Sequence, residues 1–73
     1  MAFYKVSRCR LRSLLNERKM TLRDLEKLTG IPYTSLRRYE KTTRLMPLDA
    51  AYTVMIVLNL DRIEELYDFE PFK

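Results

Sequence analysis

Tyr33, Thr34, Ser35, Arg37 and Arg38 fall within six residues and offer three hydroxyls and two planar guanidinium forks. Such groups hydrogen-bond to acceptors and neutralise anions, and an arginine fork can donate two bonds at once. Nothing beside them suits bond-breaking. The 73 residues contain no histidine, no glycine-rich phosphate loop, and no nucleophile with a base partner. Cys9 is the only cysteine, which excludes an intrachain disulfide and a cysteine-rich metal site. Acidic residues cluster only towards the C-terminus, where they read as a solvated face. The chemistry to expect is recognition without catalysis, metal or cofactor.

Two short helices must position these side chains. Thr21 offers an oxygen to the free N–H groups at a helix start, and Asp24 three residues on completes a box-like cap. Leu22, Leu25 and Leu28 recur at helical spacing until Thr29-Gly30. Gly30 is the only glycine, placed where a tight turn needs positive φ. Ile31-Pro32 restarts a helix in which Leu36 and Tyr39 face inward while Tyr33, Thr34, Arg37 and Arg38 point elsewhere. Residues 21–40 therefore have the layout of a helix-turn-helix.

The remaining elements serve as support. A helix capped by Ser7 is expected to run to about Lys19, with Leu11, Leu14 and Leu15 on one face and Cys9 as a small buried side chain. Residues 40–47 read as a polar, basic loop. A fourth helix starts near Pro47, has Asp49 in its first turn and ends near Asn59, with Leu48, Ala51, Val54 or Met55, and Leu58 closing the core. Asp61 is expected to cap a fifth helix through Leu66. Residues 3–6 and the alternating tail after it hold five of eight aromatics, which predicts a β-ribbon between residues 3–6 and 66–70. The rival is a ribbon between two protomers.

Charge is unevenly spread. Residues 1–60 carry twelve basic and five acidic side chains, a net +7, and residues 61–73 carry two and five, a net −3. A basic body suits a polyanion met by one face. The most apolar stretch, Ala50 to Leu60, is too short to span a bilayer, and no signal-peptide pattern opens the chain. A cytoplasmic protein is expected, in a bacterial cytoplasm or nucleoid, with residues 1–73 as one domain.

The pieces RLRSLLNERKMT, DLEKLTGIPYTSLRRYE and LDAAYTVMIVLNLDRIEELY together resemble the lambda-repressor-like, Xre-type (Cro-like) helix-turn-helix regulators of bacteria and phages. The resemblance implies an all-α, five-helix DNA-binding domain and a sequence-specific transcriptional regulator, usually a repressor. It places Tyr33, Thr34 and Arg38 at the base edges of the major groove, with Ser35 and Arg37 beside them. For Arg37 a solvated arginine, or an ion pair with Glu40 or Glu26, stands as the alternative. Thr21 and Arg23, then Lys41, Thr42 and Arg44, then Arg10 or Arg12, are the implied phosphate contacts. A homodimer would use the fourth and fifth helices or the terminal segments.

Three features depart from the family pattern. Glu26 replaces a small residue, so it either reaches out between the helices or alters their packing. Leu22 replaces a polar phosphate contact, and Thr42-Thr43 replace a glycine-containing turn, which suggests a looser loop. A second class of function stays open: a protein-interaction module, such as an antirepressor or antitoxin-like partner, using the acidic-aromatic tail.

Overall fold

The computed structural model describes residues 3–72. In chain order these form β1 (Phe3–Cys9), α1 (Leu11–Glu17), α2 (Leu22–Thr29), α3 (Tyr33–Glu40), α4 (Leu48–Val57), a 3-10 turn (Ile63–Leu66) and β2 (Tyr67–Phe72). The expected five helices are thus corrected to four α-helices, beside the expected two-stranded antiparallel ribbon.

The fifth helix is reduced to one 3-10 turn because Arg62 before it and Tyr67 after it are both extended. Glu65, not Asp61, caps the turn, accepting at 2.9 Å from the backbone N–H groups of Asp61 and Arg62. Leu66 is fully buried, and its carbonyl accepts from Arg10 N–H at 2.8 Å, which ties the turn to the start of α1.

The ribbon forms within one chain and is longer than expected. Phe3 lies opposite Phe72 and Cys9 opposite Tyr67, with a register shift between Val6 and Arg8. Ser7 sits at that irregularity and donates to the Asp68 carbonyl at 3.1 Å, so it caps no helix. Cys9 is buried as expected, but at the end of β1 rather than on α1. Of the terminal aromatics, Tyr67 enters the core, whereas Phe3 and Tyr4 stay exposed on the ribbon's outer part. The ion pairs Lys5–Glu70 (3.3 Å) and Arg8–Asp68 (3.6 Å) are exposed and worth roughly 0–1 kcal/mol each.

The core joins Leu11, Leu14 and Leu15 of α1 to Leu25, Leu36 and Tyr39, and α4 closes it with Ala51, Val54 and Leu58. Two expected inward leucines are out. Leu28 is 61 % exposed near the end of the short α2, and Leu48 is 78 % exposed. Leu48 shares a stripe with exposed Tyr52 and Ile56 on the other side of α4.

Among the described residues four turns use positive φ, and one of them has glycine: Lys19 (54°), Gly30 (78°), Thr42 (60°) and Asn59 (58°). At Lys19, Thr42 and Asn59 the next residue's N–H reaches back to the helix: Met20 to Leu15, Thr43 to Arg38, Leu60 to Met55. These paired bonds satisfy the free carbonyls at a helix end as a Schellman motif does.

Candidate nucleic-acid interface

The α2–α3 unit is built from local bonds. Thr21 Oγ1 accepts from Asp24 N–H at 3.2 Å, while Asp24 Oδ2 accepts from Thr21 N–H at 3.0 Å. The Thr21 backbone hydrogen bond holds the Asp24 carboxyl below its ordinary range. At the turn, Thr29 Oγ1 donates to the Leu25 carbonyl at 2.8 Å and accepts from Ile31 N–H at 3.1 Å. Leu36 and Tyr39 anchor α3 in the core, which leaves Thr34, Arg37 and Arg38 exposed.

Glu26 answers the question its position raised. Its Oε2 accepts from Tyr33 N–H at 3.0 Å, capping α3, and its Oε1 lies 3.4 Å from Arg23 Nη1. The Arg23 guanidinium covers the Tyr33 ring at 4.0 Å from the centroid, and Arg37 Nη1 donates to Tyr33 Oη at 3.4 Å. That last bond further favours the charged form of Arg37. Glu26 therefore pairs with Arg23, and Arg37 bonds Tyr33 rather than either glutamate.

Two adjoining open grooves bring most of the expected contacts together. Arg12, Thr21, Arg23, Tyr33, Arg37 and Lys41 line the first, of about 390 Å³, with Leu22 and Glu40. Thr34, Arg37, Arg38, Lys41 and Thr43 line the second, of about 350 Å³. The Arg38 guanidinium makes no hydrogen bond or ion pair among the described residues. Four expected residues lie outside both grooves. Ser35 is half-buried. Arg10 is 3.7 Å from Asp68 in an ion pair. Thr42 Oγ1 accepts from Cys9 N–H at 3.0 Å, and Arg44 stands exposed beyond it.

The loop after α3 is tightly wound, contrary to expectation. Thr43 N–H and Arg44 N–H both reach the Arg38 carbonyl, at 3.1 and 3.4 Å. A β-branched residue at positive φ is strained, and Thr42 persists there because its hydroxyl is held by β1. At the loop's other end, Tyr67 Oη accepts from Met46 N–H at 2.9 Å. Burial pushes the Cys9 thiol and the Tyr67 hydroxyl up from their ordinary values. Sequence reasoning missed Glu26 as a cap and Tyr67 as a loop anchor. The Glu26-to-Tyr33 separation of seven residues, spanning a glycine turn, was the one readable signal for the first; nothing local pointed to the second.

Among the described residues no helix is long and apolar enough to cross a membrane. No curated protein and no solved structure gives a significant match to the chain. The family model for the Cro/C1-type helix-turn-helix DNA-binding domain matches residues 10–71, spanning α1 through most of β2. The chain belongs to the Cro/C1-type helix-turn-helix family, and its partner is DNA.

Proposed function

We propose that residues 1–73 act as one unit that represses transcription by reading a specific double-stranded site with α3 in the major groove. The observation that carries this is Arg38: exposed, without a protein partner among the described residues, and lining a groove flanked by Arg37 and Lys41. Arg38 is the direct reader, with a fork suited to guanine O6 and N7. Thr34 and Tyr33 supply a hydroxyl or an apolar contact beside it, and Ser35 and Arg37 flank them. Thr21, Lys41 and Arg12 border the grooves as phosphate contacts, with Arg23 beside them paired to Glu26, Arg44 and Thr42 on the loop, and Arg10 at the margin. The protein acts in the bacterial cytoplasm or nucleoid and needs no metal, cofactor or chemistry of its own.

A homodimer fits this reading. Helix α4 is apolar on both sides, with Ala51 and Val54 in the core and Leu48, Tyr52 and Ile56 exposed. An apolar stripe left in water is best covered by another surface. The exposed aromatics Phe3, Tyr4 and Phe69 on the ribbon favour a second reading, an antirepressor or antitoxin-like module whose partner is a protein.

Selection of bound sequences from a random duplex pool at roughly 0.15 M salt tests the proposal. We expect an enriched motif, palindromic if the protein dimerises on its site. Arg38→Ala should relax preference at one base position by about 1–3 kcal/mol, whereas Lys41→Ala should weaken all sequences alike. No enrichment beyond salt-sensitive general binding would overturn base reading and favour the protein-partner reading.

A further inference from the structure

Glu26 stands at the proposed reading surface and has the wrong sign for a DNA contact. Its carboxylate, with the side chain 35 % exposed, lies at the N-terminus of α3 and holds Tyr33 N–H and Arg23 together. Both are groups a phosphate would otherwise take: a free N–H at a helix start and a guanidinium. Arg23 is further held over the Tyr33 ring, so the ring is fixed by its backbone, its face and its hydroxyl.

We propose that Glu26 is a specificity-determining residue, resting on the base-reading role of α3. It withholds Arg23 and the α3 N-terminus from phosphates, and its own charge repels them. Affinity for every sequence is lowered by these effects. The same bonds hold Tyr33 in one orientation, so a site that fits the fixed ring recovers contacts that a wrong site does not. Discrimination is a difference of affinities, and an element that disfavours all partners sharpens it when only the correct one compensates.

The variant to make is Glu26→Gln, whose amide oxygen can still accept from Tyr33 N–H while the charge is gone. Binding to the selected site and to random duplex is measured across a salt series, with a thermal melt confirming that the variant folds like the parent. We expect affinity for random duplex to rise by about tenfold, and the ratio of specific to random affinity to fall. The salt slope should steepen by about 0.9 as Arg23 becomes free to neutralise one phosphate. An unchanged ratio, or weaker random binding in a folded variant, overturns the role of Glu26. A parent chain that enriches no sequence overturns base reading itself, so the two failures are distinct.

Discussion

The joints on either side of α3 are built by different means. Before α3, Gly30, Thr29 and Glu26 make every connecting bond within seven residues, so α2 brings the start of α3 with it. After α3, the loop leans on bonds to Thr42 from Cys9, 33 positions away, and from Met46 to Tyr67, 21 positions away. Cys9 and Tyr67 face each other across the ribbon, so one end of that ribbon holds both ends of the loop. Helix α3 thus begins on a self-contained unit, while the loop bearing Lys41 and Arg44 depends on the two ends of the chain having paired.

Tyr67→Phe should break this contrast most severely. It leaves the buried Met46 N–H without its acceptor, a loss of about 1–3 kcal/mol. A domain of this size has only about 3–5 kcal/mol to lose, so the melting temperature should drop by several degrees for each kcal/mol. Amide exchange should quicken at Met46 and leave the 29–33 turn unchanged. Equal quickening at both joints would show that they are not independent.

Gly30→Ala is the matching change at the other joint. A Cβ there meets nothing within 4 Å, so the cost is the backbone strain of a φ of 78° alone, about 1 kcal/mol. The melt should shift less than for Tyr67→Phe. A larger shift would mean that the local joint, and not the ribbon, limits stability.

The smallest effect separates the cap of α2 from the ribbon end that holds the loop, by pH. Asp24 has a lowered folded value, so its contribution is present above the unfolded value of about 3.9 and fades as pH falls through the folded one. Cys9 and Tyr67 have raised values, so theirs is complete below the unfolded values of about 8.5 and 10 and fades as pH rises through the folded ones. Melts across pH should show an acid loss that Asp24→Asn removes and an alkaline loss that it does not.

Much of the candidate interface could be read from residue types. Thr21 and Asp24 cap what they appear to cap, and the leucine-and-tyrosine face of α3 fixes which side is left outward. The other left-handed ends were harder. Lys19 and Thr42 adopt positive φ without glycine, because tertiary bonds and Schellman pairing hold them there. Leu28 and Leu48 have the spacing of core residues and are exposed, since periodicity gives a face but not which neighbour arrives to cover it.

Sequence alone determined the helix-turn-helix, the Thr21–Asp24 cap, its one glycine turn and the basic outward face, because those depend on interactions a few residues long. Only the tertiary structure decided that Ser7 joins a strand, that Thr42 is held by β1, and that Tyr67 anchors the loop after α3. Those outcomes depend on which distant groups meet once the core has closed, and no local pattern carries that information.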